Sequence, residues 1–473
     1  MSDMGGTGGG VGGRGHRQLD IEVESTKEKR SLIISLAWPA LAENFLVSIT
    51  SMIDMIMVSS LGGFAIAAVG LVAQPRFVML SAFMAMNVGS TAMISRFRGA
   101  RDPENANLVL GQSLLMGLSL SAILCVIMFI WGENLIRFLA GGNISPDTIQ
   151  GASEYLRIQV YGFPLMALTF TMNAALRGVG NTRATFYNNS VSNLSKILFN
   201  YCLITGGFGF PALGIRGAAI SMVLSQAVGF FMVLSKVISG KEYIRIEFKK
   251  VSRFDFSMMK RIFNIGFPAL IEQVFMRVGV MLFTIIVTSL GNYSYQAHII
   301  AMNLQQMSFM TGMSFGIAAT TLVGQCLGRL REDLARLYVK LTLQLNLIVA
   351  VAVAMLLFFG GELICSLYSD DPELVRLAAN MLKIIALVNP VSASRFVYSS
   401  ALRGAGDSRF SAVITFVGVL VLRPLISYLL VFPPFPFQLG LAGIWIALSS
   451  DGIVAYILSM NRFKRGKWAN IKV

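Results

Sequence analysis

The sequence predicts an all-α polytopic membrane protein, with twelve transmembrane helices in two parallel six-helix lobes related by a pseudo-two-fold along the membrane normal. Three observations predict it. Only 13% of the 473 residues are charged while 55% are hydrophobic, and a soluble domain carries about twice that charged share; the mean hydropathy is +0.67. The apolar residues are gathered into runs, such as "LLMGLSLSAILCVIMFIWG" and "LTLQLNLIVAVAVAMLLFFGG", near the ~20 residues that cross ~30 Å of hydrocarbon. Nearly the same nine residues are also written twice, as "ALRGVGNTR" ending at Arg183 and "ALRGAGDSR" ending at Arg409. The alternating ten-residue segments of an outer-membrane barrel are absent.

Residues 1–30 are Gly-rich and then charged through "STKEKR". They lack the apolar stretch of a signal peptide and read as a disordered cytoplasmic tail. Spans are then expected at 32–59, 66–94, 108–131, 154–176, 185–206 and 215–239, and again at 260–289, 295–323, 337–360, 376–401, 410–432 and 440–461. The chain therefore divides into an N-lobe over 31–239, a basic cytoplasmic linker over 240–259, a C-lobe over 260–461 and a cytoplasmic C-terminal tail over 462–473.

The charges support the count. Arg96, Arg98 and Arg101, Arg177 and Arg183, the linker residues Lys241 to Arg261, Arg329 and Arg331, Arg403 and Arg409, and the C-terminal Arg462 to Lys467 all fall on one side of a twelve-span chain. The opposite loops carry acids instead: Glu133, Asp147, Glu362, Asp370, Asp371 and Glu373. The positive-inside rule then puts both termini in the cytoplasm, as expected of a plasma membrane protein of the bacterial inner-membrane type. The net charge of +15 is thus a topology signal rather than a nucleic-acid surface. Cys125, Cys202, Cys326 and Cys365 have neither disulfide-framework nor metal spacing.

The echo extends beyond nine residues. "WPALAENFLVSITSMIDMIMVSSLG" opens span one and "FPALIEQVFMRVGVMLFTIIVTSLG" opens span seven, so that Pro39, Glu43 and Gly62 match Pro268, Glu272 and Gly291, 229 residues on. Pro164, Gly178 and Gly217 match Pro390, Gly404 and Gly443, 226 residues on. Six spans per half is an even number, so both halves enter the membrane in one orientation. The repeated nine residues end the fourth span of each lobe, and their glycines suit a tight turn between helices.

An ionisable group inside a span is costly and is a functional candidate by default. Glu43 and Asp54 lie in span one, Lys196 in span five, Glu272 and Arg277 in span seven, Arg395 in span ten, Arg423 in span eleven and Asp451 in span twelve. Eleven residues make about three helical turns, so Glu43 and Asp54 share one stripe, Glu43 near mid-membrane and Asp54 toward the outer side. Glu272 is the repeat mate of Glu43 and is expected to face the same cleft. Such carboxylates can exchange a proton or bind Na⁺; they can equally form structural pairs with Lys196, Arg277 or Arg423, and Glu43 and Glu272 read equally as packing caps. Lys196 and Arg423 miss strict repeat equivalence by one residue, a turn of ~100° on a helix, and each can pair a charge or snorkel. Asp451 is isolated in sequence. His298, the histidine inside a span, reads as a packed structural group. The "GMSFG" at 312–316 has the form of a serine-nucleophile motif, but His298 lies on the same helix about 24 Å away, so no Ser–His contact is expected.

With these residues in hand, the chain resembles the multidrug and toxic compound extrusion (MATE) family. The Pro, Glu and Asp of span one carry the resemblance, as do "ALRGVGNTR" and "ALRGAGDSR", over about 31–461. It implies two six-helix bundles in a V and antiport of organic cations, mainly amphipathic, against H⁺ or, less favoured, Na⁺. Asp54 matches the family's functional aspartate in the first span. A second aspartate that some members carry in span five falls on Asn200. The acids of a Na⁺-coupled branch are not matched: Glu272 sits one turn early, and "NPVSASRFVYSS" offers Ser392 and Arg395. The Glu272 and Arg277 pattern is closer to the branch called DinF-like, which favours H⁺. A flippase of lipid-linked saccharides from the same superfamily is the alternative, kept open by Lys196, Arg277, Arg395 and Arg423. The loop after span two, "ISRFRGARDP", lacks the major-facilitator signature. No enzyme is expected, since no acid–base or metal constellation and no phosphate loop is present. No cofactor is expected beyond the coupling ion. The partners expected are the lipid bilayer and small-molecule substrates, with no nucleic acid, and the molecule is expected to be a monomer.

Overall fold

In hydrocarbon a backbone must satisfy its own hydrogen bonds, and among the described residues every regular element is helical. The computed structural model describes residues 21–140, 145–240, 242–246, 254–432 and 439–471. The N-lobe consists of α1 (Thr26–Ser59), α2 (Gly63–Gly99), α3 (Pro103–Ala140), α4 (Pro146–Val160), α5 (Phe163–Gly178), α6 (Thr182–Thr205) and α7 (Gly214–Ile238). The C-lobe consists of α8 (Phe256–Thr288), α9 (Asn292–Gly328), α10 (Glu332–Cys365), α11 (Pro372–Gly404), α12 (Ser408–Val431) and α13 (Gly440–Lys464). α1 packs on α6 and α8 on α12 within their lobes, while α2 packs on α8 and α9, and α1 on α9, across the lobe boundary.

Ten of these helices are long and apolar enough to cross a bilayer by themselves. The fourth and fifth spans are the exceptions. Expected as one helix over 154–176, the fourth is two, α4 and α5, broken at Tyr161 and Gly162. Pro164 has no N–H to continue a helix, and a Cβ on Gly162 would press on the Val223 side chain at 3.2 Å. Its mate α11 keeps Pro390 inside a continuous helix. α6 is polar, with Asn188, Asn189, Lys196 and Asn200 on it.

The disorder expected over 1–30 does not hold for residues 21–30. Ser25 caps α1 by accepting from the Lys27 N–H, and the Ile21 carbonyl accepts from Tyr338 Oη at 2.9 Å. Residues 1–20, much of the basic linker (241 and 247–253) and the last two residues of the C-terminal tail lie outside the described residues. Where the linker is described it packs on the N-lobe, through buried Ile244 and Ile246.

The repeat is written into the backbone. Gly180 and Gly406 have φ of 91° and 90°, and even the non-glycine pair Arg101 and Leu330 shares the left-handed region at 58° and 59°. One helix breaks the copy. In α12, Phe416–Leu422 winds as a π-helix, which accommodates one extra residue relative to an α-helix. This corrects the one-residue slip between Lys196 and Arg423. The inserted residue is absorbed before Arg423, so Lys196, Asn200 and Tyr201 become the counterparts of Arg423, Ser427 and Tyr428, 227 residues on. Deleting Val421 should restore α-geometry and leave Arg423 facing Asp451, because the π-helical stretch has already absorbed the inserted residue. The ion pair should survive and the melting temperature in detergent should stay near that of the wild type; a loss of about 3–5 kcal/mol, the cost of breaking a buried pair, would refute the register assignment.

Candidate functional site

The repeated nine residues build the same joint twice. Arg177 and Arg403, the arginines of "ALRG", each donate to the glutamate of the lobe's first helix, Arg177 to Glu43 Oε1 at 3.4 Å and Arg403 to Glu272 Oε1 at 3.2 Å. A second donor is repeated too. Asn189 Nδ2 reaches Glu43 Oε1 at 2.7 Å, and its mate Thr415 reaches Glu272 Oε1 at 3.5 Å. In both lobes the other oxygen, Oε2, is buried without a hydrogen-bond partner. The first glycine lets the helix end approach its neighbour: a Cβ on Gly178 would meet the Thr91 carbonyl at 3.1 Å, and one on Gly404 would strike the Thr320 carbonyl. Thr91 and Thr320 in turn donate to the Ala174 and Ser400 carbonyls at 3.2 and 2.9 Å. The residue after the second glycine, Asn181, caps α6 by accepting from the Ala184 N–H; its mate Asp407 instead accepts from Arg462 at 2.8 Å.

This placement corrects the sequence reading of the glutamates. Neither Glu43 nor Glu272 pairs with Lys196, Arg277 or Arg423. Each stands midway along its helix and is bonded inside its own lobe to the arginine at the end of α5 or α11. The partners were missed because Arg177 and Arg403 read as loop charges outside the spans, whereas α5 and α11 run on through both.

Three of the sequence-named residues do meet. Lys196 Nζ donates to Asp54 Oδ2 at 2.5 Å, and Asn200 donates to Asp54 Oδ1. Lys196 and Asn200 are four residues apart and share a face of α6, so the cluster ties the C-terminal half of α1 to α6. It stays part-exposed, with the Asp54 side chain 22% accessible. Arg76, on α2, lies in electrostatic reach of Asp54 and Tyr155, and its Nε is buried without a hydrogen-bond partner. Sequence reading passed over Arg76 although it stands beside Pro75 inside the second span.

The C-lobe resolves its charges differently. The repeat mate of Asp54 is Phe283, and the Arg423 guanidinium lies 5.4 Å from that ring's centroid. Arg423 pairs instead with Asp451, at 2.5 and 2.9 Å, with side chains 8% and 2% accessible. Arg395 lies in electrostatic reach of Asp451, Arg423, Glu272 and Arg403, and it packs on Phe396. Arg277 crosses the lobe boundary to sit over Phe77 of α2, 3.0 Å from the centroid. His298 is wedged between Phe283 and Trp445. Ser314 donates to the Met310 carbonyl, while Gly312 and Gly316 allow α9 to lie against Ala393 and Ser400 of α11. Among the described residues no cluster of His, Cys, Asp or Glu could hold a metal ion.

The lobes meet at the basic end. Thr321 Oγ1 donates to the Arg177 carbonyl at 2.9 Å and Gln325 Nε2 to the Gly178 carbonyl at 3.2 Å. Gly99 and Gly328 bring α2 and α9 into backbone contact, against Gln325 and Arg96 respectively. Arg96 also donates to the Ile471 carbonyl of the C-terminal segment at 2.7 Å, a segment anchored on the C-lobe by buried Trp468, stacked on Phe463 at 4.6 Å.

The MatE family model matches residues 39–202 and 268–429, one match in each lobe. The chain is 29% identical over 445 residues, 94% of each protein, to a probable multidrug resistance protein NorM of Thermotoga maritima. It is 26% identical, over 92% of this chain and 95% of the relative, to the multidrug resistance protein MdtK of Yersinia pestis. Among solved structures, an outward-facing multidrug resistance MATE family transporter of the MOP superfamily superposes with a TM-score of 0.87 at 20% identity, covering 97% of this chain and 100% of that one. A MOP superfamily transporter from Pyrococcus furiosus, described as having a binding pocket of reverse polarity that suggests a different function, superposes with a TM-score of 0.84 at 21% identity, covering 94% and 97%. At these identities the structural likeness speaks for the fold.

The joint between Glu43 and Arg177 should behave as a unit. Glu43→Gln or Arg177→Gln alone strands a charge in a low-dielectric site, at a cost of about 3–5 kcal/mol, whereas the double variant should lose less than the sum. Thermal unfolding of the four proteins checks this; strict additivity would show that the two side chains do not interact.

Proposed function

This chain belongs to the MatE family of membrane transporters, and from that we propose that it is a secondary active exporter of amphipathic organic compounds, moved by alternating access in exchange for H⁺. The cluster of Asp54, Lys196 and Asn200 carries the proposal. It is a part-exposed carboxylate with two donors, joining the first helix of the N-lobe to the fifth span, and Phe283 leaves the C-lobe without a copy of it.

The orientation rests on the basic loops, which put both termini in the cytoplasm. On that orientation the contacts of Thr321, Gln325, Gly99 and Gly328 close the cytoplasmic end, and the cleft opens outward. Asp54 then meets protons arriving from outside. A shared carboxylate, contested by proton and cationic guest, is the scheme the family resemblance implies. Here Asp54 is already occupied by Lys196 and Asn200, so the coupling works through the tether. Deprotonated, Asp54 holds α1 against α6 and keeps the outer cleft shaped for its guest. Protonated, it no longer attracts Lys196; α1 is released and can bend at Pro39, whose missing N–H leaves the Ser35 carbonyl to Thr182 Oγ1 at 3.4 Å. The guest is expelled because the cleft changes shape, a coupling between two separate sites. The unpartnered Oε2 atoms of Glu43 and Glu272 are further places for a proton. In this scheme Lys196 is the residue that feels the proton, Asn200 holds the carboxylate in place, and no enzyme chemistry is involved.

Proteoliposomes given ΔpH and ΔNa⁺ separately test the coupling. Export of a fluorescent amphiphile is expected under ΔpH, and Asp54→Asn should reduce it at least tenfold. Export driven by ΔNa⁺ alone, or an Asp54→Asn protein as active as wild type, would overturn the coupling scheme.

A further inference from the structure

A charge placed among hydrocarbon needs a counter-charge close by. Away from the ends of the helices, the acids inside this bundle are Glu43, Asp54, Glu272 and Asp451, and each is bonded to one base: Arg177, Lys196, Arg403 and Arg423. Three arginines are left over. Arg76, Arg277 and Arg395 form no ion pair and no hydrogen bond among the described residues. What they have instead is weaker. Arg277 and Arg395 lie against the rings of Phe77 and Phe396. Arg76 is near a carboxylate that two other donors already hold.

Both lobes share in the surplus. Two acids and three bases stand in the N-lobe with Arg76, and two acids and four bases in the C-lobe with Arg395 and Arg277, the last reaching across to α2, the helix that also carries Arg76. Sequence does not make this surplus by repetition. The mate of Arg76 is Gln305, and the mate of Arg395 is Thr169, so each lobe acquires its extra guanidinium at an unrelated position. Arginine keeps its charge at any accessible pH, so neutralisation by proton loss is not open to it.

We infer that the guest of this transporter carries an anionic group, a sulfonate, carboxylate or phosphate on an apolar body, which Arg76, Arg277 and Arg395 recognise. The inference rests on the exporter reading and specifies its substrate class. A guanidinium is suited to this role because it keeps its positive charge and donates charge-assisted hydrogen bonds to such oxyanions. A cationic guest would meet bundle acids that are all engaged, beside three arginines without an ion-pair partner. An inside-negative membrane potential also drives an anionic guest outward. The same chemistry can come from a free amphiphile entering from water or from an anionic lipid headgroup entering from the membrane.

The test uses two dansyl probes of one chain length, one ending in a sulfonate and the other in trimethylammonium. Purified full-length protein is titrated with each in detergent, and each is followed in proteoliposomes of phosphatidylcholine with an outward gradient of the probe and ΔpH. Saturable sulfonate binding and export are expected, weakened at least tenfold by Arg76→Gln and by Arg395→Gln and restored toward wild type by Arg76→Lys and Arg395→Lys. The lysine variants separate loss of charge from loss of fold. Competition by phosphatidylglycerol, added to the vesicles, would support the site with lipid as its source; indifference to it, with sulfonate still bound, would support a free amphiphile. Binding and export of the trimethylammonium probe alone would overturn the inference and leave the exporter reading standing. Sulfonate binding without export of either probe would support the inference and sink the exporter reading. Loss of sulfonate binding in the lysine variants as well as the glutamine ones would overturn recognition by charge.

Discussion

The structure depends on one constraint: a carboxylate inside hydrocarbon has to be matched within the bundle. Glu43, Asp54, Glu272 and Asp451 are each matched, and each match joins two helices. Glu43 and Arg177 join α1 to α5, Glu272 and Arg403 join α8 to α11, Asp54 and Lys196 join α1 to α6, and Asp451 and Arg423 join α13 to α12. Apolar packing alone discriminates poorly between helix registers in a membrane, since lipid tails are as apolar as leucine. Four charge pairs at set depths supply the discrimination.

Duplication explains the frame and divergence explains the site. The turns, the helix-end glycines and the glutamate joint are the same in both lobes, down to the left-handed backbone of Arg101 and Leu330. Toward the C-terminal ends of α1 and α8 the copies part. The N-lobe keeps an acid at position 54, and its cation pairs with the first helix. The C-lobe has Phe283 there, and its cation, reset by the π-helical stretch before it, pairs with the last helix. One pair is part-exposed and the other fully buried. A symmetric scaffold thus holds two charge pairs that differ in their access to solvent.

The closed end makes use of small residues. Gly99 and Gly328 let α2 and α9 touch backbone to backbone, and Thr321 and Gln325 bond to carbonyls at the very end of α5. Apolar side chains complete this end: Ile33, Leu36 and Ala37 of α1 share one buried cluster with C-lobe helices, and Met258, Ile262 and Ile265 of α8 share another with the N-lobe. The C-terminal segment adds one bond across it through Arg96 and Ile471, and Trp468 fixes the segment to the C-lobe side.

By itself the sequence determined the span count, the two-lobed duplication, the helix-ending role of "ALRGxGxxR" and the family. These follow from composition, run length and an echo at fixed distance, which are one-dimensional properties. It also picked out Asp54, Lys196, Asn200, Arg423 and Asp451, because an ionisable or strongly polar side chain in an apolar run stands out. Which of these meet was decided by the tertiary structure alone. Glu43 found Arg177, 134 residues away, because helix ends overrun apolar runs and bring loop-like arginines inside. Arg423 became the counterpart of Lys196 because a π-helical stretch changes the residue count without changing the path of the helix. The break between α4 and α5, and the three arginines left without a carboxylate, were likewise settled in three dimensions. Pairing depends on the depth and facing of a side chain, and neither is fixed by its position along a single apolar run.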